Sequence, residues 1–145
     1  MNAVHLERSL PSSWYRTPEV FRAEKERIFC REWIAACREE ELPNAGDSMV
    51  LDVLGESILL VRNRDGELRG FYNVCRHRGS RLCRSAAESA ALTVTLPGGI
   101  TAGRIVCPYH QWSYDFNGAL VAAPHLTTAS GFAKQDYSLY PVGVD

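Results

Sequence analysis

Four side chains in two short motifs could do chemistry: Cys75-Arg76-His77 and Cys107-Pro108-Tyr109-His110, with residues 78–106 between them. Each motif supplies one thiol and one imidazole. Deprotonated thiols are soft anions suited to sulfide-bridged iron, and neutral imidazoles bind iron without adding charge. Two thiolates on one iron and two imidazoles on the other hold a [2Fe–2S] centre. The reduced negative charge places the potential of such a centre at roughly −150 to +300 mV, well above all-cysteine plant-type ferredoxins. His77 and His110 would therefore tune the potential as well as hold iron. If their imidazoles also titrate with the redox state, the potential must vary with pH through the imidazole range. Gly79 follows the first pair and Pro108 sits inside the second, as tight ligand-bearing loops require. Two other readings compete. The four residues could be unrelated buried cysteines and hydrogen-bonded histidines, or they could form a Cys2His2 zinc site. Zinc sites usually pair like ligands within a motif. Here each motif mixes Cys with His, which favours iron–sulfur.

The stretches Phe71-Tyr72-Asn73-Val74-Cys75-Arg76-His77-Arg78-Gly79 and Cys107-Pro108-Tyr109-His110-Gln111-Trp112-Ser113-Tyr114-Asp115, with Asn117-Gly118 after them, resemble the N-terminal part of a Rieske non-haem iron oxygenase α subunit. The resemblance extends upstream over Trp14 to Trp33 and downstream over Ala123-Pro124-His125-Leu126. It is as close to α subunits acting on quaternary ammonium compounds as to arene dioxygenases. It implies that Cys75, His77, Cys107 and His110 are the cluster ligands. It also implies a reductase or ferredoxin as electron donor, and a catalytic domain with a mononuclear Fe(II) as acceptor. One departure stands out. The gap between the ligand pairs is longer than is usual in the family, so Ser85–Gly103 reads as an insertion. Alternation in Leu92–Leu96 and Ile100-Thr101 around Pro97-Gly98-Gly99 makes it a candidate hairpin. Respiratory Rieske proteins carry an extra cysteine near each ligand loop, and the two form a disulfide. The corresponding positions here are Ser80 and Tyr109. Without that bridge and its nearby polar groups, a potential low in the Rieske range is expected.

The ligand loops need a scaffold, and its elements are legible. Thr17-Pro18-Glu19 reads as a helix start, with a capping hydroxyl, proline at the first position and an acid in the first turn. Phe21, Ile28 and Phe29 then follow at helical spacing, giving an amphipathic helix over about 18–30. In α subunits this region tends to pack on the catalytic domain; a homo-oligomer is another way to cover Val20, Phe21 and Ile28. Beyond Arg38 the pattern turns to strands. Ser48–Leu54 and Glu56–Asn63 flank Gly55, and Arg64-Asp65-Gly66-Glu67 turns into Leu68–Val74, which delivers Cys75. Arg104-Ile105-Val106 delivers Cys107. Ser113–Phe116 and Ala119–Val121 flank Asn117-Gly118 as a last hairpin, and Tyr137–Val144 reads as a strand heading out of the domain. The expected fold is mainly β: an antiparallel Rieske sandwich or partly closed barrel behind an amphipathic helix. The divisions are an arm and helix at 1–40, the cluster domain at 41–126, and a tail at 127–145 leading toward a catalytic domain.

At 145 residues the chain can bury one proper core. A net charge of −1 gives no reason to expect nucleic acid as a partner. The longest aliphatic run, Ile58-Leu59-Leu60-Val61, is far short of a membrane span. The start of the chain has no apolar leader. Cys30, Cys37 and Cys83 are then reduced thiols in a cytoplasmic protein, with Cys83 a packed side chain. Arg76, Arg78, Arg81 and Arg84 cluster at the first motif, either as a solvated face or as a counter-charge for the cluster or an acidic donor. Tyr109 and Trp112 are expected to wall His110.

O2 activation needs a mononuclear iron on two His and a carboxylate. Beyond the two ligand histidines only His5 and His125 remain, with no ligand-like spacing. No catalytic residue is therefore assigned. The expected role is electron transfer within an oxygenase. The alternatives are a free-standing Rieske ferredoxin, against which the N-terminal helix speaks, or a zinc-stabilised binding module.

Overall fold

The computed structural model describes residues 8–84, 99–124, 126 and 131–145. The chain divides into two compact units, one up to Ala36 and the other from Cys37 to Asp145.

The first unit is helical. Thr17 is extended at the N-cap and Pro18 opens α1 (Pro18–Glu24). The expected hydroxyl cap is not made; the Phe21 amide instead donates to the Thr17 carbonyl at 3.3 Å. The helix runs on as a π-turn over Lys25–Phe29, so the amphipathic segment ends about where its spacing predicts. Phe21, Ile28, Trp14 and Trp33 are all exposed.

The second unit contains two open four-stranded antiparallel sheets. The first has the order β1-β2-β3-β8: Ser48–Val53, Glu56–Arg62, Leu68–Tyr72 and Pro141–Val142. The second has the order β4-β5-β6-β7: Gly99–Thr101, Arg104–Val106, Ser113–Tyr114 and Leu120–Ala122. β2 explains why its apolar run is unbroken. Side chains alternate faces along a strand. Leu59 and Val61 enter one core with Phe71, Ile105, Tyr114 and Leu120. Ile58 and Leu60 enter another with Leu42, against Met49, Leu51 and Val142. Both faces of β2 are therefore covered.

The expected outgoing strand at Tyr137–Val144 takes a different form. Lys134–Tyr137 is a 3-10 turn, and the strand that follows is only β8, which pairs with β3 (Gly70 with Val142, Phe71 with Pro141). Leu139 is buried in the first core. In the region read as an insertion, β4 and β5 form a hairpin about Ala102 and Gly103, which have φ of 49° and 72°. Leu92–Leu96, Pro97 and Gly98 lie outside the described residues, as do His5 and His125.

Candidate metal centre

Cys75 and Cys107 begin two loops of the same build. In the first, the Cys75 amide donates to the Ser80 carbonyl (2.7 Å) and the Gly79 amide to the Cys75 carbonyl (3.0 Å). In the second, the Cys107 amide donates to the Trp112 carbonyl (2.8 Å) and the Gln111 amide to the Cys107 carbonyl (3.0 Å). The fourth residue after each cysteine is left-handed: Gly79 at φ 70° and Gln111 at φ 60°. Glycine adopts that conformation freely, whereas glutamine pays roughly 1–2 kcal/mol for it. Each loop thus closes on itself and presents its cysteine and histidine from one short turn.

The loops bring all four sequence-predicted residues together. Both cysteines are 2 % exposed. The Cys75 thiol donates to Cys107 and thereby lowers the Cys107 pKa to about 5, against the opposing effect of burial. The Tyr109 and His110 amides and the Ser80 side chain add donors to the same sulfur. Cys75 is pushed up, first by that hydrogen bond and then by burial. The pair thus gives up one proton readily and holds the second, because two adjacent buried thiolates repel each other. A cation is what would let both ionise.

The imidazoles of His77 and His110 meet edge to face, centroids 4.8 Å apart. Their Nδ1 atoms are buried without a hydrogen-bond partner. Burial lowers the His77 pKa, helped by His110 and Arg78, so its ring stays neutral, the form that binds metal. Two sulfurs in contact and two imidazoles in contact, with unpartnered nitrogens, fit a cluster that has an iron at each end.

The surroundings differ from expectation in three respects. The Trp112 indole lies flat on His77, not on His110 (4.6 Å, 7° between planes), while Tyr109 covers His110 at 3.7 Å. Phe132 and Tyr137 pack edge-on against Trp112. Arg76 does not join an open basic face. Its guanidinium donates to the carbonyls of Ser138 (2.6 Å) and Asp136 (3.3 Å) and lies 4.0 Å above the Tyr140 ring. Polar groups do face the sulfurs: besides Ser80, the Tyr114 hydroxyl sits 3.3 Å from the Cys75 Sγ and accepts from the Arg76 amide at 3.2 Å. Tyr114 escaped the sequence reading. Its only local signal is that it lies two positions beyond Trp112, in β6.

Asn73 pins the far end of the first loop. Its side chain accepts from the Cys83 amide (2.9 Å) and donates to the Cys83 carbonyl (2.7 Å), as a neighbouring strand would. Cys83 packs in the core, as expected. All five cysteines are unpaired.

Residues 32–135 match the Rieske [2Fe-2S] domain family, and the chain belongs to it. Its relatives are oxygenase subunits. The chain is 36 % identical over 137 residues to the carnitine monooxygenase oxygenase subunit of Escherichia coli K12, covering 94 % of this chain and 33 % of that one. It is 38 % identical over 136 residues to the glycine betaine monooxygenase oxygenase subunit of Chromohalobacter salexigens, covering 94 % and 28 %. The crystal structure of the apo form of the quaternary ammonium Rieske monooxygenase CntA superposes with a TM-score of 0.79 at 34 % identity, over 94 % of this chain and 36 % of that one. The chain thus spans about a third of the length of these relatives. Its likeness to them covers the Rieske portion of oxygenase α subunits, which makes it an electron-transfer domain of that type and not a zinc module.

Proposed function

We propose that Cys75 and Cys107 hold one iron of a [2Fe–2S] cluster and His77 and His110 the other. Bound there, the cluster supplies one-electron storage at a potential set by its ligands and their hydrogen bonds. The observation that carries this assignment is the pair of like-built loops, which bring two buried sulfurs and two unpartnered Nδ1 atoms together. The chain's other residues serve that site. Trp112 and Tyr109 cover the imidazoles, and Tyr114 and Ser80 face the sulfurs.

In the complete system the domain takes an electron from a reductase or ferredoxin and passes it to a mononuclear iron held outside these residues. Residues 1–40 are the arm, 41–126 the cluster domain with its insertion at 85–103, and 127–145 the lead to the catalytic part. The exposed apolar side chains of α1 suit packing on that part or on a second copy. A structure of one quaternary ammonium Rieske monooxygenase is described as giving insight into inter-subunit electron transfer, and we extend such transfer to this protein. Carnitine and glycine betaine relatives support a quaternary ammonium compound as substrate of the whole enzyme. Unpaired cysteines suit the cytoplasm, and no helix among the described residues is long and apolar enough to cross a membrane.

The test is the visible and low-temperature EPR spectrum of the chain loaded with iron and sulfide, before and after dithionite. A rhombic reduced-state spectrum of the His-ligated type is expected, lost in Cys75→Ala and Cys107→Ala and altered in His77→Cys. A colourless chain binding one zinc would refute the assignment.

A further inference from the structure

Three buried side-chain polar atoms among the described residues lack a hydrogen-bond partner: Nδ1 of His77, Nδ1 of His110 and Nε1 of Trp112. The first two await iron on the reading above. The third cannot bind metal, because an indole N–H only donates. Trp112 is 1 % exposed, so bulk water does not reach it. A buried donor left unmade is costly, and such an orphan calls for an acceptor.

The identity of that acceptor follows by elimination. Trp112 lies flat on His77, centroids 4.6 Å apart, so the indole borders the ligand pocket. Phe132 and Tyr137 pack edge-on against the indole, and neither gives Nε1 a hydrogen-bond partner. The two cysteine sulfurs already have donors. Cys75 faces Tyr114, and Cys107 receives Ser80 and two backbone amides. Neither sulfur is a partner of Nε1. The electron-rich atoms a cluster would bring to this pocket, other than the cysteines, are its inorganic sulfides.

We propose that the Trp112 Nε1–H donates a hydrogen bond to a bridging sulfide of the cluster, making Trp112 a positioning residue that also favours the reduced state. Reduction adds negative charge to the sulfides, so a fixed donor stabilises the reduced cluster more than the oxidised one. The same indole fixes the His77 ring by stacking. The inference rests on the ligand assignment proposed above.

The test uses the iron- and sulfide-loaded chain with indole-15N tryptophan, studied by pulsed EPR in the reduced state, together with Trp112→Phe. Phenylalanine keeps an aromatic face for His77 and removes the donor together with part of the ring. The expected result is a 15N coupling in the wild type that Trp112→Phe abolishes; Trp14 and Trp33 lie in the N-terminal unit and remain labelled in that control. The reduction equilibrium should shift about tenfold toward the oxidised form, which is about 59 mV for one electron. If Trp112→Phe fails to retain the cluster, the coupling in the labelled wild type decides alone. A Rieske-type spectrum with no indole coupling and an unchanged potential in Trp112→Phe overturns the hydrogen bond and leaves the proposed function standing. No Rieske-type spectrum from the wild type overturns that function and this inference with it.

Discussion

Replacing Tyr114 by phenylalanine should lower the reduction potential by about 40 mV, a value obtained from one hydrogen bond. The Tyr114 hydroxyl is buried, 3.3 Å from the Cys75 Sγ, and its lone pair already accepts from the Arg76 amide. With Cys75 ionised on iron, the phenol can only donate to it. A hydrogen bond to a charged group is worth about 1.5–3 kcal/mol. Only its change between redox states enters the potential. Taking about a third to a half of the bond as that change gives about 1 kcal/mol. One electron converts about 1.36 kcal/mol into about 59 mV, hence the figure of about 40 mV. Burial, then the Cys75 hydrogen bond and charge, push the Tyr114 pKa upward, so the phenol keeps its proton throughout the neutral and mildly alkaline range. The offset between wild type and Tyr114→Phe should therefore be the same at every pH from about 6 to 9. Spectroelectrochemical titration of both proteins over that range is the assay. An unchanged potential, or an offset that vanishes with rising pH, would refute the reasoning.

Other outcomes follow from the same structure. Asn73→Ala leaves the Cys83 amide and carbonyl unpaired; it should cost about 2–4 kcal/mol in urea titration and hasten cluster loss. A Cβ on Gly118 would lie 2.5 Å from the Phe71 ring at φ +84°, whereas one on Gly66, also at φ +84°, meets nothing within 4 Å. Gly118→Ala should then cost about 2–5 kcal/mol and Gly66→Ala about 1–2 kcal/mol, and equal midpoints would contradict this. Burial raises the Cys83 pKa from 9.0 to about 11. The unfolded thiol loses its proton first, so the folded state binds more protons across that window and stability falls as pH rises through it. Denaturant midpoints should show a shallower alkaline decline in Cys83→Ala than in wild type.

The four ligand-type residues were legible because ligand chemistry is local. A thiol and an imidazole two or three positions apart, repeated once, mark a candidate ligand set without reference to the fold. The strands were legible for a similar reason, since period-two alternation and turn residues act over a few positions. β2 is the instructive case: its run of apolar residues marks a strand, but that both its faces are buried depends on what packs on each side. The hydroxyl cap at Thr17 was a reasonable inference from residue type that the local geometry does not use.

What tertiary structure alone decided is which residues attend the proposed ligands. Tyr114 reaches Cys75 because β6 brings it beneath a loop 39 positions earlier in the chain. Arg76 looks like one of four clustered cations in sequence, yet it is drawn onto carbonyls 60 and 62 residues away because β8 returns beside β3. Trp112 sits two residues from His110 yet stacks on His77, because Gln111 between them is left-handed and turns the chain. Composition and spacing determine which atoms can bind iron. The potential those atoms impose depends on donors and rings from distant segments, which only the packed tertiary fold brings within a few ångströms.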